Sequence, residues 1–258
     1  MLNETFYVDG VDARNFGIYL QKPIEFSEAI PVVERQSIPG RNGDLIFETG
    51  SYENRTGTAS CFCLQKNVEK AISAAGRFLM GKHGYRRLET SDDPDHFWLA
   101  RVENSPQIMQ RMRTLAPFEI TFDCKPQRFL KSGEETVVLY PTEQDAGFGV
   151  THKIYNQHGF PAHPLIKIFA IRDGAAFHLT CKQPNASTED RIGGNIWGGT
   201  LDLSIDCDTY NAYNDSGNQN KYIESYSGFP VIRPGENVLH VFGPSIEKAE
   251  FTPRWWEL

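Results

Sequence analysis

Apolar and polar residues alternate along most of this chain, and a period of two suits strands with one buried face. Phe118, Ile120, Phe122 and Cys124 alternate with Glu119, Thr121 and Asp123. Leu165–Ile171, interrupted by Lys167, reads as a further strand, as do Phe177–Cys181, Leu201–Ile205 and Val238–Phe242. Turns such as Arg172-Asp173-Gly174 and Arg233-Pro234-Gly235 separate them. One stretch only has helical spacing: Val68, Ala71, Ile72, Ala75 and Leu79, with Glu69, Lys70, Ser73 and Arg77 between. Asn67 is the expected N-cap and Gly81 the expected stop. The chain is therefore read as mainly β. An α+β domain carrying the one main helix is expected over 1–128, and an all-β sandwich or jelly roll over 129–258. Lys131-Ser132-Gly133-Glu134-Glu135 is read as the junction.

Composition narrows the function classes. With 26 Lys and Arg against 33 Asp and Glu, the net charge of -7 is opposite in sign to that of a protein that coats nucleic acid. No apolar run is long enough for a membrane-spanning helix, so no membrane insertion is expected. The first residues lack the basic and apolar regions of a secretory signal. Cys61, Cys63, Cys124, Cys181 and Cys207 are odd in number and sparse, which suits buried thiols in a reducing compartment. Cys61-x-Cys63 puts two thiols on one strand face without the second pair of a structural zinc site.

No catalytic constellation stands out. His152, His158 and His163 lack metal-ligand spacing and are expected as surface or loop histidines. Gly193–Gly199, around Trp197, precedes a strand rather than a helix, so a tightly turned loop is expected there instead of a phosphate cradle. Asp92-Asp93 and Glu134-Glu135 are adjacent pairs, which point apart on a strand. Ser91-Asp92-Asp93-Pro94 reads as a hairpin turn. No enzyme activity, cofactor or metal is expected. Trp197, Tyr210 and Tyr213 are candidate glycan contacts, since exposed aromatic rings stack on sugars, with core packing as the alternative.

Three clusters in the first half occur in a telling order. Phe6-Tyr7-Val8-Asp9-Gly10-Val11-Asp12 leads into Phe16-Gly17-Ile18; Ile38-Pro39-Gly40-Arg41-Asn42-Gly43-Asp44-Leu45 follows; Phe122-Asp123-Cys124-Lys125-Pro126 closes the half. Pro164–Ile168, Ile205-Asp206-Cys207-Asp208 with Tyr210, Phe229–Leu239 and Pro253-Arg254-Trp255-Trp256 continue the series. The ordered set resembles the distal tail protein (Dit) family of long, non-contractile phage tails, which also occurs in prophages. The resemblance implies an N-terminal domain that forms a hexameric ring and a galectin-like C-terminal sandwich outside it. It implies a structural hub joining the tail tube to the tip or baseplate. The implied partners are copies of the chain, the major tail tube protein, a tail-associated tip protein and a receptor-binding protein. DNA would pass through the channel without specific binding, and the implied location is the virion tail tip after assembly in the bacterial cytoplasm. A carbohydrate-binding module contacting host cell-wall glycan is the alternative function.

Elementary chemistry gives these residues roles beside the resemblance. Pro39, Gly40, Arg41, Asn42 and Gly43 must form a turn, and Arg41 at its tip suits either a neighbour's carboxylate or solvent. The helix and a long hairpin running from Ile38 to Cys63 are the expected ring-forming elements. Of Trp255 and Trp256, which alternate in direction on a strand, one is expected on the core. The other, taken as Trp256, is expected over a seam or interface.

Overall fold

The computed structural model describes residues 4–64, 68–103, 115–141, 149–197 and 201–258. In chain order the first elements are β1 (Phe6–Val8), β2 (Val11–Asp12), β3 (Ile18–Leu20), β4 (Glu25–Phe26), β5 (Pro31–Gln36), β6 (Leu45–Tyr52), β7 (Arg55–Leu64), α1 (Val68–Met80), β8 (Arg86–Thr90), β9 (His96–Val102) and β10 (Leu115–Leu130). Then come β11 (Val137–Leu139), β12 (Gly149–Asn156), β13 (Leu165–Ala170), β14 (Ala175–Lys182), β15 (Asp190–Ile196), β16 (Asp202–Asp206), β17 (Asn211–Asn214), β18 (Gly217–Asn218), β19 (Ile223–Ser225), β20 (Gly235–Phe242), β21 (Ile246–Thr252) and β22 (Trp256–Glu257). Two compact units result, Met1–Arg128 with Leu258, and Phe129–Glu257.

In the first unit the sheet order is β2-β1-β8-β9-β10-β7-β3, with β4 also on β7. Phe118, Ile120, Phe122 and Cys124 from β10 and Ala59, Cys61 and Cys63 from β7 enter one core, as their alternation requires. The helix lays Ala75, Phe78 and Leu79 on that core, and Phe78 stacks on Phe16 at 4.3 Å between ring centroids. Gly81 stops it: its N–H reaches Arg77 O at 3.0 Å, and a Cβ there would stand 2.3 Å from that oxygen. The expected cap, Asn67, lies outside the described residues.

Local chemistry explains the opening motif. Asp9 and Gly10, at φ 51° and 76°, form the two-residue turn of the β1–β2 hairpin, where both central residues must be left-handed. Asp12 then caps the 3-10 turn Ala13–Phe16, accepting from Arg14 N (2.8 Å), and it also takes Thr5 Oγ1 (2.8 Å) and the Arg14 guanidinium (2.6 Å). Burial alone raises the Asp12 carboxyl. Donation from the Arg14 side chain and N–H and from Thr5 outweighs it and holds the group below its ordinary 3.8.

The second unit is a sandwich. A sheet of order β11-β21-β13-β16-β17-β18 faces one of order β12-β20-β14-β15-β19. Ile166, Ile168, Leu203, Ile205 and Phe251 from the first meet Phe177, Leu179, Ile192, Leu239 and Val241 from the second in a single core. Lys131–Glu134, expected as a junction, is instead a 3-10 turn built into this unit. Gly133 O accepts Arg254 N at 2.8 Å, and a Cβ on Gly133 would stand 2.3 Å from Trp255 N.

Three other expectations are corrected. Gly193 and Gly194 are not in a turned loop but inside β15, where a Cβ would fall 2.5 Å from His178 Nδ1 and 2.3 Å from Tyr222 O respectively. Glycine there serves close approach, not chain reversal; Gly198 and Gly199 lie outside the described residues. His152 is not in a loop but on β12, opposite Leu239. The hairpin carrying Arg41 ends at Tyr52, because Thr56 bonds back to Ser27 and hands the chain to the large sheet.

All five cysteines are free and buried. Burial pushes the Cys61, Cys124 and Cys181 thiols up to about 12 and raises Cys63 and Cys207 as well. A water-soluble disulfide reagent is therefore expected to label none of the five in the folded chain and all five after denaturation; rapid labelling of any thiol under native conditions would contradict this packing. Because the Asp12 carboxyl is lowered on folding, its contribution is complete above the ordinary carboxylate range and is lost as pH falls through the folded value. Asp12→Asn, which removes the charge that Arg14 and Thr5 meet, is expected to lower the melting temperature at neutral pH, with the difference closing as pH falls through and below the ordinary carboxylate range. A difference independent of pH would contradict the assignment.

Candidate functional site

The most exposed regular structure among the described residues is the β5–β6 hairpin. Its strands form a two-stranded sheet by themselves. The register pairs Val33 with Glu48, Glu34 with Phe47, Arg35 with Ile46 and Gln36 with Leu45. Leu45 and Phe47 thus share one face and Val33 and Ile46 the other, and neither face is buried. Ile46 is 59% exposed and Phe47 51%, and Ile30 at the hairpin's base is 58% exposed. Hairpins of this length bury too little to be stable alone in water, and exposed apolar side chains on both faces add to the cost.

Pro39, Gly40, Arg41, Asn42 and Gly43 form the tip. Arg41 N donates to Ile38 O at 3.1 Å, and Gly40 and Gly43 both take left-handed φ, 82° and 81°. The Arg41 side chain is exposed and makes no hydrogen bond or ion pair among the described residues. The turn was legible in the sequence; the apolar residues on its two strands were not singled out. Ile46-Phe47, adjacent and so on opposite faces, was the available signal.

The candidate glycan contacts are not brought together. The Trp197 ring covers the Gly174 turn beyond the end of β13; a Cβ on Gly174 would meet it at 2.8 Å. Tyr210, at φ 53°, follows the opposite end of the sheet, where Asp206 pairs with Leu165 at the start of β13, and meets Phe229 edge-on at 5.5 Å. Tyr213 lies on β17 opposite Ser204. Nor do the two final tryptophans divide as expected: both pack against the sandwich core. Trp256 Nε1 donates to Pro161 O at 2.8 Å and the ring stacks on Phe160 at 4.5 Å. Arg254, at φ 60°, breaks the extended backbone just before them, so strand alternation does not govern the pair.

Several motif residues hold the sandwich together. Asp206 Oδ1 accepts from Asp208 N (3.0 Å) and from Arg254 Nη1 (2.7 Å), tying a strand end to the chain terminus. Arg233 grips Asp190 with both terminal nitrogens, at 2.6 and 3.1 Å. Asn237 Nδ2 donates to Arg233 O and Gly235 O, closing the Arg233–Asn237 turn. Among the described residues, Asp93 meets His96, Oδ1 to Nδ1 at 2.6 Å, and the other ring nitrogen faces Arg128 Nη2 at 3.3 Å. No three His, Cys, Asp or Glu side chains converge as a metal site among the described residues, and no helix there is long and apolar enough to cross a membrane.

No protein-family model matches the chain, and no curated protein matches it. Solved structures do. The SPP1 phage Dit protein (gp 19.1), described as a paradigm of the hub adsorption apparatus in phages infecting Gram-positive bacteria, superposes with a TM-score of 0.62 at 13% identity, covering 98% of this chain and 99% of that one. A chain of the phage p2 baseplate in its strontium-activated conformation matches with a TM-score of 0.55 at 10% identity, covering 98% of each. The calcium-activated p2 baseplate gives 0.55 at 10% identity over 96% of each. The likeness runs from end to end in both units, and what it establishes is the architecture: this chain has the mainly β, two-unit fold of a phage Dit hub protein.

Proposed function

We propose that the chain is the structural, non-enzymatic hub of a long non-contractile phage or prophage tail tip. Six copies close a ring that continues the tail tube and carries the tip and receptor-binding apparatus. The β5–β6 hairpin carries this reading. Among the described strands its two pair only with each other, and Ile46 and Phe47 face outward on opposite sides. A neighbouring copy on each side of every subunit supplies cover for two faces, which a closed ring does and a two-fold dimer does not. The Arg41 guanidinium at the tip then meets a carboxylate or carbonyl of the adjoining copy or of a stacked tail component. The resemblance of the ordered sequence motifs and the fold shared with the SPP1 hub protein support the same role.

The net charge of -7 per subunit suits a channel through which DNA slides, because an acidic or neutral wall does not hold phosphates. The location that goes with this role is the virion tail tip, reached by assembly in the bacterial cytoplasm. The tube protein and the tip protein are the partners above and below.

Electron microscopy of the purified chain, alone at high concentration and with its tail-tip partner, tests the proposal. Six-fold rings are expected. A particle that stays monomeric even with its partner, or closes with another symmetry, contradicts it. The double variant Ile46→Ser with Phe47→Ser is expected to leave the thermal midpoint nearly unchanged, since exposed substitutions shift stability by only about 0.5 kcal/mol, while abolishing rings. Arg41→Glu is expected to weaken assembly with folding intact. Rings formed by both variants at wild-type concentration would remove the hairpin from the interface.

A further inference from the structure

The outer face of the sandwich's β12-β20-β14-β15-β19 sheet carries a side-chain pattern that the core does not use. Register places two rows across it. One runs Thr151, His240, Thr180, Arg191; the next runs Gly149, Phe242, His178, Gly193, Glu224. These positions alternate with Leu239, Val241, Phe177, Leu179 and Ile192, which fill the core, so they point away from it. Thr151, His178, Thr180, Lys182, Glu189, Arg191, His240 and Phe242 line an open groove.

Three of the groove's lining side chains, His178, His240 and Phe242, are aromatic and neighbour one another through Phe242, with Val238 beside them and Tyr226 next to His178 outside the lining. The Phe242 ring lies 6.4 Å from His240 and 6.2 Å from His178, and His178 lies 6.2 Å from Tyr226. Glycine makes room for these rings at two places. A Cβ at Gly149 would stand 2.5 Å from His240 Nε2, and one at Gly193 2.5 Å from His178 Nδ1. That Nδ1 is buried and has no hydrogen-bond partner among the described residues, which leaves Nε2 as the ring nitrogen to meet a ligand. At one edge Arg191 lies over the Tyr226 ring at 5.1 Å, and Tyr226 Oη donates to Glu224 Oε2 at 2.7 Å, so both side chains are held in place.

We infer that this face is a binding site for a neutral pyranose saccharide. A pyranose presents C–H groups on one side and hydroxyls around its rim. The aromatic side chains match the first. The rim groups match the second: the Thr151 and Thr180 hydroxyls both donate and accept, Lys182 and Arg191 donate, and Glu189 accepts. Mixed sign selects against a charged ligand. An anion meets Glu189 and a cation meets Lys182 and Arg191, whereas a hydroxyl satisfies all of them. The groove is not the one suggested by Trp197, Tyr210 and Tyr213, none of which lines it. The inference does not depend on ring formation, because every lining residue belongs to one sandwich unit.

Ligand-observed saturation-transfer spectra of the full chain test this directly, with side-chain spectra of 15N-histidine-labelled protein alongside. The probes are methyl β-D-galactopyranoside, methyl α-D-glucopyranoside and N-acetyl-D-glucosamine, with glucuronate as the charged comparator. An open groove of this kind is expected to hold at least one neutral probe with a dissociation constant of about 1 mM and to shift the His178 and His240 rings. Phe242→Ala and Arg191→Ala are each expected to weaken that binding roughly tenfold, the loss of one good contact. Arg191 is exposed, so its variant keeps the test valid should the Phe242 variant misfold. Absence of saturable binding by every neutral probe, binding of glucuronate alone, or binding lost in Trp197→Ala but unchanged in Arg191→Ala would each overturn the assignment. Because the readout is a saccharide titration of the chain itself, a negative result leaves the ring proposal standing.

Discussion

Two strands that, among those described, pair only with each other dominate the physics of the first unit. The other strands described in that unit join one large sheet, and their buried apolar residues enter one core. The β5–β6 hairpin has neither benefit. Its outer backbone groups and its Leu45, Ile46 and Phe47 side chains gain little by folding on their own. In the proposed ring, a neighbouring chain supplies that stabilisation. Self-pairing through free edges is normally a hazard that leads to open aggregates. Closure about an axis turns the same tendency into a counted assembly.

The second unit behaves differently. Its core is complete within the chain, and charged side chains fasten its irregular segments. Asp206 holds Arg254 of the terminal segment, and Asp190 holds Arg233 of the closing turn. Desolvation offsets much of the attraction in partly buried pairs such as these, so the apolar core carries most of the unit's stability. One outer face of this sandwich is therefore free to carry side chains chosen for something other than folding. On the β12-β20-β14 sheet that face brings together histidine, phenylalanine, threonine and arginine.

Much of this was legible in the residues, for physical reasons. Strict alternation from Phe118 to Cys124 leaves β10 no other conformation that buries one face, and the spacing from Val68 to Leu79 fits α1 and nothing flatter. Turn chemistry marked the Arg41 tip and the Asp92-Asp93 hairpin, since Gly and Pro act locally. What failed was whatever depends on distant partners. Gly193 and Gly194 look like a loop until β14 and Tyr222 are brought alongside, when they become slots for close approach. Trp255 and Trp256 obey no strand alternation because Arg254 bends the chain. The groove was hidden for the same reason: His178 and Phe242 are far apart in sequence and meet only through the register of β14 with β20.

Hydrogen exchange read by mass spectrometry, on the dilute free chain and on the assembled ring, bears most directly on the hairpin's role. Amides of Pro31–Gln36 and Leu45–Tyr52 should exchange quickly in the free chain and become protected on assembly, while β10 and β14 stay protected in both. A hairpin as protected as β10 in the free chain, or one still exchanging freely in the ring, would contradict the account.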